Sequence, residues 1–252
     1  MNELLLDLRF PFTHLTGLTK DFIMPNELLW VLLLLFNFSA ITSAYWRFGR
    51  YGLFVWVGMA TVIANIQVIK TVGLFGYAAS VGNIIYATTF LTTDILSEIY
   101  GKKEARKAVW VSFFTLISAT TMLSITLRFI PHVTDFAQPA LETIFTLLPR
   151  IAVGSLLAFI VSQRHDVWAY EIWKKRFPKP NQIWIRNNLS TMVSQLIDTC
   201  IFVSIAFVGV MPNQIIVEIA VTTYLFKWVV AASDTPFVYL AVYLKKKGVI
   251  PE

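Results

Sequence analysis

The sequence predicts an all-α membrane protein, a polytopic helical bundle of seven transmembrane spans. Three observations predict it. Of 252 residues, 56% are hydrophobic and only 14% are charged, against about 25% charged in ordinary globular chains. Mean hydropathy is +0.64. The apolar residues fall in long runs punctuated by basic clusters, with none of the ten-residue alternating segments of a barrel. Together these exclude a cytosolic enzyme. The single cysteine, Cys200, excludes a disulfide framework and a CxxC metal or redox site.

A helix that crosses hydrocarbon needs about 20 residues. Seven stretches qualify: 28–46, 52–69, 78–97, 108–130, 143–163, 188–210 and 215–244. An unpaired backbone group in lipid costs several kcal/mol, so each is expected as a helix. Residues 1–27 begin Met1-Asn2-Glu3, without the basic region of a secretory signal, and are expected as an N-terminal interfacial segment. Residues 28–252 then form a single transmembrane domain, with its core at about 52–245. Gly73 and Gly76 interrupt the segment between the second and third spans. It reads either as an external turn or as a lid carrying Phe75 and Tyr77. The segment 164–187, with Trp168, Tyr170, Trp173 and Trp184 among its charges, is expected as a helix lying at the headgroup level.

Lys and Arg sort by side. One set of loops holds Arg47 and Arg50; Lys102, Lys103, Arg106 and Lys107; Arg164, Lys174, Lys175, Arg176, Lys179 and Arg186; and Lys245, Lys246 and Lys247. These are fifteen of the 21 basic residues. The positive-inside rule puts them in the cytoplasm, with the C-terminus inside and, for seven spans, the N-terminus outside. The net charge of +6 is therefore topological, and no nucleic-acid partner is expected.

Arg9, Lys20, Lys70 and Arg128 fall on the opposite face, which leaves Arg150 and Lys227 within apolar stretches, where a charge costs about 2.5–3.5 kcal/mol. Their acidic counterparts are Asp94, Asp198 and Asp234, with Glu98 nearer the basic end. In the sixth span Trp184, Asn188, Thr191, Gln195, Asp198 and Phe202 recur at intervals of four and three, which makes one polar stripe. Tyr224, Lys227, Ala231 and Asp234 repeat the pattern in the seventh, and Asp94 and Glu98 are one turn apart in the third. Arg150, Gly154, Ser155, Ala158 and Ser162 present small residues that admit a close helix or a flat ligand. Asp198 with Lys227, and Arg150 with Asp94, read equally well as interhelical ion pairs. Asn65 and Gln67 fit capping of a helix end as well as ligand contact. Inward amides and carboxylates mixed with aromatics such as Phe90, Tyr224 and Trp228 suit a small heterocycle, whose edge is read by hydrogen bonds while rings cover its faces. Pro236 frees a backbone carbonyl or kinks the last helix.

No GxxxxGK[ST], HExxH or Gly-x-Ser-x-Gly motif occurs, and His14, His132 and His165 lie far apart outside the spans. No enzyme, cofactor or metal is expected.

Three runs resemble a known family: Phe90-Leu91-Thr92-Thr93-Asp94 through Glu98-Ile99-Tyr100-Gly101-Lys102-Lys103; Arg150 through Gly154-Ser155 to Ser162-Gln163 and Asp166; and Asn188-Leu189-Ser190-Thr191 to Gln195-Leu196-Ile197-Asp198-Thr199, with Phe226-Lys227 beyond. They are similar to the queuosine-precursor transporters, also called the vitamin uptake transporter family, over about residues 55–245. Members resemble in fold the six-helix substrate-binding components of energy-coupling-factor transporters; the stretch 28–46 is additional to the shortest of them. The resemblance implies import of a 7-deazaguanine base such as preQ1, preQ0 or queuine across a prokaryotic plasma membrane. The substrate-binding residues expected are Asn65, Gln67, Phe90, Asp94, Glu98, Arg150, Ser155, Asn188, Thr191, Gln195, Asp198, Tyr224, Lys227 and Asp234. The partners expected are the purine-like molecule and the lipid bilayer, and the sequence is compatible with a homodimer. The alternative is a substrate-binding subunit driven by a separate ATPase, for which Ala40-x-x-x-Ala44 offers a seat for a partner helix.

Overall fold

The computed structural model describes residues 24–146, 148–209 and 213–251. Their elements are α1 (Asn26–Gln67), a hairpin of β1 (Thr71–Leu74) and β2 (Tyr77–Ser80), α2 (Gly82–Ile99), α3 (Lys102–Thr126), α4 (Gln138–Phe145), α5 (Leu148–Arg176), a 3-10 turn at Pro180–Gln182, α6 (Ile183–Phe207) and α7 (Asn213–Lys246). Most of the expected interfacial segment, residues 1–23, lies outside the described residues.

Gly49 shapes the first element. As one straight helix, the 42 residues of α1 would be about 63 Å long, twice the hydrocarbon thickness of about 30 Å. Gly49 instead takes φ 58° and ψ −142°, which breaks the helix. A Cβ built on Gly52 would sit 2.2 Å from the Ala44 carbonyl oxygen, whereas residues eight apart in a straight helix are separated by about 12 Å. The chain therefore doubles back. At the far end, Asn26 Nδ2 donates to Gly73 O at 3.1 Å and Phe75 N donates to Glu27 Oε1 at 3.0 Å, so the start of α1 meets the hairpin that follows its end. The two arms match the expected stretches 28–46 and 52–69.

By length and composition four described helices suffice to cross a bilayer, or five when the pair α4 and α5, bent by 42°, counts as one span. Their outward faces carry exposed apolar side chains such as Phe36, Val55, Phe114 and Met122. The protein is an all-α polytopic membrane protein. The expected count of seven divides α1 at Gly49 and adds α2, which is too polar to qualify alone. Gly82 through Ser97 of α2 are all buried, and α2 packs against α1, α3, α5 and α7. A helix enclosed by other helices tolerates polar residues on every side, because none meets lipid.

Two expectations need correction. Residues 164–176 do not form a separate interfacial helix, because α5 continues unbroken to Arg176. No Gly or Pro intervenes between Gly154 and Pro178 to stop it. The third span does not begin at 78, because Tyr77–Ser80 is the second strand of an antiparallel β-hairpin with Leu74 paired to Tyr77, and the turn read at Gly73 and Gly76 belongs to that hairpin. Phe75 and Gly76 at its tip both have positive φ, 51° and 83°, the geometry of a type I′ turn.

α5 and α6 form the most extensive contact, at the small-residue face expected on α5. A Cβ on Gly154 would lie 3.3 Å from Ile205 Cγ2 and 3.5 Å from Phe202 O. At one end of the bundle the Gly49 corner abuts Pro251, Tyr45 Oη lies 3.4 Å from Tyr100 Oη, and Lys245 Nζ lies 5.3 Å from the Tyr100 ring centroid. The basic clusters thus gather at that end, opposite the hairpin.

Candidate functional site

From Thr191 to Asp198 the stripe on α6 faces the interior, whereas Trp184 at its start is exposed, and two groups of polar residues form against it. Nearer the hairpin, Asp198 meets Lys227 of α7 at 2.5 Å. Its Oδ1 also accepts from Tyr86 Oη of α2 at 2.6 Å and from Ser162 Oγ of α5 at 3.1 Å. Lys227 Nζ lies 4.9 Å from the Tyr86 ring centroid, a second favourable contact for the ammonium. Four helices are tied by one carboxylate, which satisfies the buried charge as its burial requires.

Beside this pair lies a small, partly open cavity of about 30 Å³. Its wall includes Asn65, Asn83, Tyr86, Asp198 and Lys227, together with Ser155, Ala158 and Phe202. Asn65 is oriented by its own helix, its Nδ2 donating to Thr61 O at 2.9 Å. Its Oδ1 is buried without a partner, and so is Asn83 Nδ2. An unpaired buried amide costs about 1–3 kcal/mol. Two of the lining residues thus hold an unpaired buried acceptor and an unpaired buried donor, in a wall that also contains an aromatic ring and an ion pair.

About two to three turns back toward the start of α6 lies a group of acids. Thr191 Oγ1 donates to Asp94 Oδ2 at 3.0 Å, Asn187 Nδ2 donates to Asp234 Oδ1 at 2.6 Å, and Thr93 Oγ1 is 3.5 Å from Asp166 Oδ2. Asp94 interacts electrostatically with both Asp166 and Asp234. Gln195, between the two groups on the stripe, is wholly buried, and neither of its amide atoms has a partner.

At the basic end, Glu98 forms a third knot. It pairs with Arg186, lies 3.7 Å from Lys174 Nζ, and accepts from Tyr170 Oη at 3.2 Å. Lys174 also donates to the Ser97 and Glu98 carbonyls, at 2.9 and 2.8 Å, and so covers the end of α2.

Of the residues expected to touch substrate, the cavity wall gathers Asn65, Ser155, Asp198 and Lys227. Phe90 is buried behind it, with its ring centroid 6.0 Å from that of Tyr86. Thr191, Asp94 and Asp234 belong to the acid group, Gln195 to the link, and Glu98 to the basic knot. Asn188 Nδ2 donates to Thr235 Oγ1 at 2.8 Å, beside Asp234. Gln67 and Tyr224 are half-buried and lie outside the wall. Arg150 does not pair with Asp94. Exposed at the end of α5, it donates to the Ile205 and Val208 carbonyls at 2.9 and 2.5 Å, and so satisfies the last turn of α6.

Five contributors were not among the substrate-binding residues expected from the sequence: Asn83, Tyr86, Ser162, Asp166 and Asn187, of which Ser162 was read only as part of a small-residue face and Asp166 only within a run shared with the family. A signal existed for four of them. Asn83, Tyr86, Phe90 and Asp94 recur at intervals of three and four on α2, as Ser155, Ser162 and Asp166 do at seven and four on α5.

A family model described as "Putative vitamin uptake transporter" matches residues 80–241, well over half of the chain. The chain belongs to this family. The family match runs from the end of β2 into α7 and so takes in both polar groups, while Asn65 and the rest of α1 fall outside it. The chain is 48% identical over 218 residues, 86% of its length and 95% of the relative's, to a "Probable queuosine precursor transporter" of Bacillus subtilis (strain 168). It is 25% identical over 186 residues, 71% of its length and 80% of the relative's, to a "Queuosine precursor transporter" of Escherichia coli (strain K12). No solved structure matches the chain.

Proposed function

We propose that the chain imports a queuosine precursor, a 7-deazaguanine base such as preQ1, preQ0 or queuine, across the plasma membrane of a prokaryote, and that the base binds in the cavity beside Asp198. The observation that carries this reading is that two amides lining one cavity, Asn65 and Asn83, each keep one buried polar atom without a partner, an acceptor in the first and a donor in the second. A guanine-like edge supplies the complements, ring and exocyclic N–H donors and a carbonyl acceptor. The rings of Tyr86 and Phe202 offer it apolar faces. The names of the relatives support the substrate class. In this reading the chain is a single transmembrane domain after its N-terminal segment, acts as a carrier and not as an enzyme, and needs neither a cofactor nor nucleic acid. The basic end, including the C-terminus, faces the cytoplasm, and the hairpin end receives substrate from outside.

Equilibrium binding of preQ1 and preQ0 to the purified chain tests the site. Asn83→Ala leaves a ligand polar group unpaired, which costs about 1–3 kcal/mol, or roughly 5- to 150-fold in Kd. Unchanged affinity in both Asn65→Ala and Asn83→Ala would remove the cavity from recognition. Exchange of preQ1 by the chain alone in liposomes separates a carrier from a binding subunit of a larger complex.

A further inference from the structure

The buried acids divide into two kinds. Asp198 and Glu98 each have basic partners, Lys227 for the first and Arg186 and Lys174 for the second. Asp94, Asp166 and Asp234 have none, although each is at most 1% exposed. Among the described residues, no salt bridge reaches any of the three. They come from α2, α5 and α7, and their hydrogen-bond donors are neutral: Thr191 for Asp94, Asn187 for Asp234, and Thr93, Thr191, Ser190 and Ser194 for Asp166.

The orphaned atoms add an independent observation. Asp94 Oδ1, Asp166 Oδ1 and Asp234 Oδ2 are buried without partners, and all are acceptors. Asn187, fully buried, donates into the group through Nδ2 while its Oδ1 is left without a donor. Acceptors in excess of donors, carboxylates without counter-charge and enclosure by protein together call for a ligand that supplies hydrogen and positive charge. No group of three His, Cys, Asp or Glu among the described residues has the geometry to hold a metal ion. None of the three acids lines the cavity beside Asp198.

We propose that Asp94, Asp166 and Asp234 form a proton-binding site, separate from the base-binding cavity, through which the proton gradient drives uptake. The proposal rests on the carrier reading given above. A proton taken from the outer side binds one carboxylate oxygen and supplies the missing donor; when the site turns inward, the same proton leaves to the cytoplasm, and the carboxylate is restored. Gln195, unpartnered on both amide atoms and one turn from both Thr191 and Asp198, is the element through which base and proton sense each other. The other titratable or charged groups around the site are Tyr170 and His165 on α5, the pair of Glu98 and Arg186, and Lys174. Tyr170 interacts with Asp94, and His165 Nδ1 lies 2.9 Å from Ser194 Oγ, which neighbours Asp166.

The test uses the purified full chain in liposomes loaded with a pH-sensitive dye, with tritiated preQ1 outside. The wild type should accumulate preQ1 when the exterior is acidic, with acidification of the lumen. Asp166→Asn, which does not touch the cavity, should still exchange preQ1 against internal preQ1 but lose both accumulation and the dye signal. A second readout needs no substrate: infrared absorption of protonated carboxyl groups, present in the wild type and diminished in Asp94→Asn and Asp166→Asn. Exchange that ignores the pH gradient, accumulation that follows sodium instead, gradient-driven accumulation surviving in Asp166→Asn, or wild-type protein without protonated carboxyl bands would each overturn the proton site while leaving the carrier reading in place. Failure of the wild type to bind or exchange preQ1 would overturn the carrier reading itself, and the coupling with it.

Discussion

Replacing Lys227 by Met removes one half of an ion pair whose partner, Asp198, is buried. Nζ and Oδ2 are 2.5 Å apart, with the two side chains 4% and 3% exposed. At an effective dielectric of about 20, their attraction is about 7 kcal/mol, much of it offset by the hydration that both ions give up. In Lys227→Met, Asp198 keeps only the Tyr86 and Ser162 hydroxyls, at 2.6 and 3.1 Å. Breaking a buried pair from one side costs about 3–5 kcal/mol. The two surviving hydrogen bonds to a charged acceptor put this case at the lower end, about 3 kcal/mol. Adding Asp198→Asn removes the orphaned charge, so the double variant should be more stable than Lys227→Met by about 2 kcal/mol. Unfolding in mixed micelles of increasing SDS content measures all four corners of the cycle. Single-variant costs that simply add, within about 0.5 kcal/mol, would refute the energetic coupling claimed for the pair.

Two further outcomes follow from packing and burial. Gly52→Val should force the arms of α1 apart, because even a Cβ there would meet the Ala44 carbonyl at 2.2 Å; size-exclusion chromatography should show loss of the monodisperse protein, and an unaltered profile would contradict the folded-back arrangement. Glu98→Gln should cost about 3 kcal/mol, because it strands Arg186, which is 1% exposed. Glu104→Gln, which loses only the bridge to Lys107, 65% exposed, should cost less than about 1 kcal/mol in the same SDS titration.

The sequence carried what depends on the period and length of a single helix. Apolar runs of about 20 residues located the spans, because hydrocarbon demands them whatever the neighbours. The alignment of Thr191, Gln195 and Asp198 on one face of α6 follows from 3.6 residues per turn alone. Matching depth made Lys227 and Asp198 candidates for a pair, and Gly154 with Ser155 and Ala158 marked where a helix packs closely.

What the tertiary structure decided was which faces meet. Helical period says that a stripe exists but not the rotation of the neighbouring helix. Arg150 was therefore legible as an intramembrane charge but not as a group bonded to the Ile205 and Val208 carbonyls. The same limit hid the separation of paired from unpaired acids. Asp94 and Asp198 look alike in the chain, yet one faces Lys227 and the other faces Asp166 and Asp234. Nor did the sequence say that Asn65 and Asn83 would share a wall, since that depends on α1 folding back at Gly49 and on the hairpin that leads into α2. A residue's chemistry is local, but its partners are set by how separate helices pack.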